Sequence, residues 1–156
     1  MKSDEDYMRQ AIAVTLEGIK AGQTPFGAVI VKDGTVIAKA HNVVWEDGDI
    51  TAHAEITALR QACKGTSCID LSGATVYSTT EPCPMCFSAC HWARVKRIVY
   101  GASIADARKA GFNELAISDE DMKRMGGSGV ELSGGVLKKE CRELFEVWKK
   151  AGGRTY

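Results

Sequence analysis

Four side chains in two short stretches of the sequence could bind a metal ion and move protons. His53 and Glu55 form a His-x-Glu pair, and about thirty residues later Cys83 and Cys86 form a Pro-Cys-x-x-Cys motif. One imidazole and two thiolates suit Zn²⁺, and three protein ligands leave the fourth position of a tetrahedral ion open to water. Zinc brings the pKa of such a water towards neutrality, so that hydroxide becomes available as a nucleophile. Glu55 is then not needed as a ligand, and its carboxylate is expected to shuttle protons.

The spacing of these residues predicts that both stretches lie at the start of a helix. Residues two apart point away from each other within a helix, so His53 and Glu55 can converge on one ion only from its first turn. Thr51 is predicted to be the N-cap of this helix. Cys83 is predicted to be the N-cap of a second helix, with Pro84 at the first helical position, where its missing N–H costs nothing. Two helix N-termini directed at the metal would favour thiolates and disfavour a protonated imidazole.

A structural role for the same residues is an alternative. A lone Cys-x-x-Cys also occurs in redox motifs and in halves of structural zinc sites. A structural site has four protein ligands, and Cys90 or His91 could supply the fourth. Glu55 would then have no function, which favours the catalytic interpretation. The cysteines outside the motif are predicted to be mainly small buried residues, namely Cys63, Cys68, Cys90 and Cys141.

Length and charge narrow the class of protein. The 156 residues fit one domain, predicted to span residues 1–156. Lys and Arg number 20, as do Asp and Glu, so the sequence does not predict a broad basic surface for nucleic acid. The first residues lack the apolar stretch of a signal peptide, and no apolar run is long enough to cross a membrane. The sequence therefore predicts a cytoplasmic protein with reduced thiols.

Strand and helix patterns alternate, which predicts an α/β sandwich with a partly parallel sheet. Ser3 and Asp6 resemble a capping box at the start of the first helix. Residues 25–31 and 36–40 predict a β-hairpin with an Asp-Gly turn. Ligand-binding residues in such sheets collect at the carboxyl ends of strands, where both metal stretches lie. Further strands are predicted at residues 74–79, 97–101 and 130–132.

The last third of the sequence is predicted to contain three more helices, the first a short one within residues 103–115 that a loop follows. Ser118 and Asp121 form a second capping-box match before a short helix that Gly126 and Gly127 end. The tail, which finishes with Tyr156, is predicted to be frayed from its composition alone. The final helix is predicted to be amphipathic, with an apolar face formed by Val136, Leu137, Cys141, Leu144, Phe145 and Trp148.

These motifs resemble those of a known enzyme family. Over nearly its whole length the chain resembles the cytidine-deaminase-like zinc hydrolases, through residues 25–31, 51–55 and 80–86. The resemblance implies a three-layer α/β/α sandwich with a mixed, partly parallel five-stranded sheet, bound Zn²⁺, and hydrolytic removal of an amino group from a nucleobase. Within that superfamily the sequence looks most like bacterial guanine deaminases, through Phe26, residues 91–94, residues 110–112 and Tyr156.

The resemblance to guanine deaminases implies specific roles. The reaction would convert guanine and water to xanthine and ammonia, with Glu55 as the proton shuttle and Glu114 in a further proton transfer. Some relatives have Asp at this last position. The segment from about residue 136 to residue 156 would be exchanged between the subunits of a homodimer, so that Tyr156 closes the partner's site. The implied substrate contacts are Phe26, Asn42, Ala54, Trp92 and Tyr156.

A second resemblance points to a different substrate. Residues 101–103 and 130–141 look like the corresponding parts of tRNA wobble-adenosine deaminases. The net charge of zero counts against RNA, because phosphate neutralisation dominates such binding. Cytosine or another aminated ring is a third alternative, and a structural zinc module is the alternative outside enzymes. The expected partner is a small nucleobase, whereas neither nucleic acid nor a membrane is expected.

Overall fold

A mixed sheet of five strands forms the centre of the fold. The strands are β1 (Gly27–Lys32), β2 (Thr35–His41), β3 (Thr75–Thr80), β4 (Arg97–Ala102) and β5 (Glu131–Gly134). The structure is a computed structural model that describes all residues from Met1 to Tyr156. The strand order is β2–β1–β3–β4–β5. Strand β1 pairs antiparallel with β2 and β3, whereas β3, β4 and β5 run parallel, which confirms the prediction of a partly parallel sheet.

Helices cover both faces of this sheet. They are α1 (Asp4–Lys20), α2 (Val44–Asp47), α3 (Ala54–Thr66), α4 (Pro84–Trp92), α5 (Ile104–Lys109), α6 (Asp119–Gly126) and α7 (Lys138–Lys150). Side chains alternate along the strands, so each face builds its own core. The core beside α3 and α4 includes Ala58, Leu59, Val76, Phe87 and Ile98. The core beside α1 and α7 includes Met8, Val29, Val99, Leu144 and Trp148, and the two cores together confirm the three-layer sandwich.

Capping residues and one turn begin or end several helices and strands where the sequence predicted. Ser3 and Asp6 form a complete capping box at the start of α1. Asp33 and Gly34 both have left-handed backbone, with φ of 50° and 74°, as the tight turn between β1 and β2 requires. Ser118 caps α6 by accepting a backbone N–H, which is half of the predicted box.

The start of α3 differs from the prediction. Thr51 is not the N-cap, because its N–H and its hydroxyl both bond to Asp49 Oδ1, at 2.8 and 2.7 Å, within the preceding turn. His53 is the N-cap instead, with extended backbone at φ −62° and ψ 158°. Its side chain therefore leaves the chain from the helix start. The short helix α2 lies shortly before it in the chain.

Asp119 is a buried carboxyl that no sequence pattern indicated. It is the first residue of α6, has no exposed surface, and neither of its carboxylate oxygens has a hydrogen-bond partner. Burial, followed by the negative charge of Glu81, raises its pKa to about 9. Asp119 is therefore protonated at neutral pH in the folded protein, whereas an unfolded Asp ionises at about pH 4.

Replacing Asp119 by Asn is expected to make stability less dependent on pH. Between about pH 4 and pH 9 the unfolded wild-type chain loses a proton that the folded protein keeps, so its free energy of unfolding falls as pH rises. Asn has no such proton in either state. Urea unfolding at about pH 5 and about pH 8 should show an advantage of Asp119→Asn that grows by up to ~1 kcal/mol per pH unit. An advantage that stays constant would mean that Asp119 is already ionised in the folded protein.

Candidate metal centre and active site

Three ligand atoms meet where α3 and α4 begin. His53 is the N-cap of α3, Cys83 is the N-cap of α4, and Cys86 lies in the first turn of α4. His53 Nδ1 lies 3.6 Å from Cys83 Sγ and 3.7 Å from Cys86 Sγ. A tetrahedral Zn²⁺ with its usual bond lengths to nitrogen and sulfur would hold such atoms ~3.6 Å apart. The three residues therefore fit zinc, as the sequence predicted.

No fourth protein ligand completes this group. The side chains close enough to share a metal are His53, Cys83 and Cys86. Cys90 is fully buried in the core beside α3 and α4, and the His91 ring bonds to Ser128 Oγ at 3.0 Å. Three ligands leave one position for water, which is the arrangement of a catalytic zinc and not of a structural one.

The remaining cysteines follow the prediction only in part. Cys90 and Cys141 are buried and Cys63 is partly buried, as expected for small apolar residues. The prediction is wrong for Cys68, which is exposed in the loop after α3. Its backbone N–H bonds to Cys63 O as part of the turn that ends the helix.

The ligand thiols have opposite pKa shifts because they share a hydrogen bond. The bond from Cys86 lowers the pKa of Cys83 to about 4, and His53 contributes to the same shift. That bond, together with burial, raises the pKa of Cys86. Burial opposes the charged form of His53, but its hydrogen bond with Cys83 and the charge of Glu55 outweigh burial and raise its pKa. Cys83 is therefore the readier thiolate, and a coordinating cation would displace the proton of Cys86.

Glu55 is a buried carboxyl in the first turn of α3, beside the ligands. It is 6 % exposed, and burial raises its pKa. The Ser78 hydroxyl of β3 lies 2.9 Å from Glu55 Oε1 and 2.6 Å from the Thr80 carbonyl oxygen. It can donate its single proton to an ionised Glu55, or it can donate to Thr80 and accept from a protonated Glu55. Sequence reasoning missed Ser78, because nothing in the strand pattern marks it.

A cavity of about 400 Å³ lies next to the ligands. Its inner end, beside Glu55, is lined by Phe26, Thr80, Glu81, Glu114 and Tyr156. Exposed apolar side chains, Ile50 and Leu115, lie at its outer part. The wall is formed by Ile50, His53, Cys83, Pro84, Met85, Phe112, Asn113, Glu114, Leu115 and Tyr156.

The structure places two of the five expected substrate contacts, Phe26 and Tyr156, at this cavity, whereas Asn42 and Ala54 are buried beside it without lining it. Phe26 and Tyr156 line its inner end, and Glu114 borders both the inner and the outer part. Burial, followed by the charges of Cys83 and Glu55, raises the pKa of Glu114 to about 7. Asn42 is fully buried; its Nδ2 donates to Tyr156 Oη at 2.8 Å and its Oδ1 accepts from the Val44 N–H at 3.0 Å. Ala54 is buried at the first position of α3, between His53 and Glu55.

Trp92 does not reach the cavity of this chain, contrary to the expectation. Its side chain is 82 % exposed and lies in a separate groove with His91 and Met122. The ligands Cys83 and Cys86 lie at the start of α4, whereas Trp92 is the last residue of that helix. A rise of ~1.5 Å per residue carries Trp92 about two turns away from Cys86.

The C-terminal tail is packed, which corrects the expectation of a frayed end. The Arg154 guanidinium lies 3.8 Å from the centroid of the Trp45 ring, and Trp45 Nε1 donates to Arg154 O at 3.4 Å. The Tyr156 ring lies 5.8 Å from the Phe112 ring and 5.7 Å from the His53 ring, centroid to centroid. Tyr156 thus closes the site of its own chain here. Exchange of this segment within a homodimer stays a prediction.

The sequence and fold assign the chain to a family. Residues 1–102 match the cytidine and deoxycytidylate deaminase zinc-binding region. The chain therefore belongs to this family of zinc-dependent deaminases, and it is an aminohydrolase. None of its helices is both long and apolar enough to span a membrane.

Relatives with two different substrates are similar to this chain. The guanine deaminase of Bacillus subtilis is 46% identical over 117 residues, which cover 74% of this chain and 75% of the relative. The tRNA-specific adenosine deaminase of Bacillus subtilis is 37% identical over 148 residues, which cover 95% of this chain and 89% of the relative. The solved guanine deaminase from Nitrosomonas europaea superposes with a TM-score of 0.87 at 27% identity, covering 96% of this chain and 86% of that one. A solved tRNA:A34 deaminase gives a TM-score of 0.79 at 33% identity, over 88% and 97% of the two chains.

Replacing a ligand cysteine is expected to remove zinc, whereas replacing Cys90 should not. Cys83→Ala takes away one of three ligands, so bound zinc should fall from about one per chain to near zero after dialysis, measured by elemental analysis. Cys90→Ala should keep its zinc and lose only core packing. Loss of zinc in Cys90→Ala at unchanged folded fraction would support a closed four-ligand site.

Proposed function

We propose that the protein deaminates a free purine base, converting guanine and water to xanthine and ammonia. The observation that carries this proposal is the chemistry of the cavity wall, because none of the ten residues around it is Lys or Arg. A nucleotide or an RNA would bring phosphates that need cationic partners. An uncharged aromatic ring needs apolar and aromatic walls with a few polar groups, which is what this cavity offers. The similarity to the guanine deaminase of Bacillus subtilis agrees with this choice.

The cavity can hold an aromatic ring, and aromatic side chains lie at its inner end. Phe26 and Tyr156 supply aromatic surface there. The Asn42 amide uses one N–H for Tyr156 and one lone pair for Val44. Asn42 is fully buried and does not line the cavity, so it acts on this site through Tyr156, whose hydroxyl it holds in place.

The proton transfers can be assigned to two carboxyl groups. His53, Cys83 and Cys86 would hold Zn²⁺, which when bound would lower the pKa of a water and supply a nucleophile near neutral pH. Glu55 accepts the proton that this water gives up and donates it to the ring nitrogen beside the amino-bearing carbon. Ser78 stabilises Glu55 before and after this transfer. Glu114, with a pKa of about 7, is the candidate donor of a proton to the departing amino group, and Glu55 can take the proton that the added hydroxyl loses as its C=O bond forms.

Deamination of adenosine in tRNA is the second candidate. It is favoured by the relative that covers 95% of this chain, the tRNA-specific adenosine deaminase of Bacillus subtilis. In this chain Tyr156 lines the cavity and the Trp45–Arg154 contact holds the tail that carries it, so a flipped nucleotide would require the tail to move.

Ammonia release with a set of substrates tests the proposed function. Zinc-loaded protein is given guanine, cytosine, adenine and an anticodon stem-loop in parallel. Turnover of guanine alone is expected. Turnover of the stem-loop alone, weakening steeply with salt, would replace the proposal by the tRNA candidate. Turnover of cytosine alone would assign a different ring to the same centre.

Replacing Glu55 by Gln is expected to abolish turnover and to leave the metal in place. Gln keeps the size and the hydrogen bond to Ser78 but cannot carry the proton, so kcat should fall by roughly 10²–10⁴ or more. Zinc content and thermal unfolding should stay close to wild type, since Glu55 is not a ligand. A Glu55→Gln variant of full activity would contradict the mechanism.

A further inference from the structure

The loop that carries Glu114 is hydrogen-bonded to the protein only near its ends. Residues 113–117 form no hydrogen bond with any other residue, through either backbone or side chain. Before this stretch the Phe112 ring packs against Phe26 and Trp148, with centroids 4.8 and 5.1 Å away. After it the Ser118 carbonyl accepts the first bond of α6. The position of Glu114 at the cavity therefore depends on what holds α5 and α6.

Glu81 bonds to the first residue of both helices. Its Oε2 accepts from the Ile104 N–H at 3.0 Å, and its Oε1 accepts from the Asp119 N–H at 2.9 Å. The residue is 7 % exposed, and its own N–H donates to Ala102 O at 2.8 Å. A carboxylate is favourable at a helix N-terminus, and hydrogen bonds to an ionised acceptor are stronger than neutral ones. One side chain thus joins the end of β3 to the starts of α5 and α6.

We propose that Glu81 is a positioning residue for the deamination reaction. It precedes the ligand Cys83 by two residues, so it fixes both ends of residues 104–119 relative to the metal centre. In doing so it holds Glu114 and Phe112 at the cavity. The inference rests on the proposed function for the role of Glu114, whereas the attachment itself rests on the hydrogen bonds alone.

Two substitutions weaken this attachment in different ways. Glu81→Gln keeps the size of the side chain but has one acceptor oxygen, and its NH₂ group would face a backbone N–H. Glu81→Asp keeps the charge but is one methylene shorter, so it cannot span both helix starts. Glu120→Gln is the matched control, because it removes the same kind of charge from an exposed position in the first turn of α6.

Hydrogen exchange of backbone amides tests the attachment without any substrate. In zinc-loaded protein, the Ile104 and Asp119 amides should exchange at least ~tenfold faster in Glu81→Gln than in wild type, because these two amides lose their acceptor. Zinc content should be unchanged, and Glu120→Gln should exchange like wild type. Unchanged protection in Glu81→Gln would overturn the proposal. Glu81→Asp serves for the same measurement if Glu81→Gln does not fold.

A double-mutant cycle tests whether Glu81 acts through Glu114. Glu81→Gln and Glu114→Gln should each lower kcat by roughly tenfold or more, and the double variant should be little worse than Glu114→Gln. Losses that multiply would overturn a positioning role. The cycle uses whichever substrate the wild type converts. If wild type releases no ammonia from guanine, the proposed function fails, while the exchange measurement still decides the role of Glu81.

Discussion

Two helices begin at one point beside the central strand, and the metal centre is assembled from their first residues. His53 and Cys83 are both N-caps with extended backbone, so their side chains can turn towards a common point that no mid-helix position could share. The same small volume contains two thiols and the carboxyl groups of Glu55 and Glu114. Burial, followed by the negative charge of Cys83, raises the pKa of both carboxyl groups. Such a concentration of acidic groups requires compensating positive charge, which a cation at the ligands and the N-terminal ends of the two helix dipoles would supply.

The sequence predicted this centre because the information is local. The spacing of Cys83 and Cys86 places both at the first turn of a helix, and the Pro between them marks that turn without reference to the rest of the chain. The strands were found for a similar reason, since alternating apolar residues and an Asp-Gly turn report on neighbours only a few positions away. Parallel pairing followed from the helices between the strands.

Features that depend on distant contacts could not be predicted in this way. Thr51 has the residue type of an N-cap, but its N–H and its hydroxyl both donate to Asp49. The composition of the tail gives no sign that Arg154 packs on Trp45, which is 109 positions earlier in the chain. The substrate is subject to the same limit, because the cavity wall is built from segments that are far apart in sequence and meet only in the fold.

The hydroxyl of Ser78 has a consequence for the rate of the chemical step. Solvent molecules around a carboxylate must reorient whenever that group gains or loses a proton, and this reorganisation adds to the barrier. Around Glu55, rotation of the Ser78 O–H bond can replace this solvent reorganisation, because the Ser78 oxygen already lies within hydrogen-bond distance of both Glu55 and the Thr80 carbonyl. No heavy atom has to move when the proton arrives or leaves. The Ser78 hydroxyl and the Thr80 carbonyl of the buried strand β3 thus replace the water molecules that would otherwise surround Glu55, and their oxygen atoms are already in position.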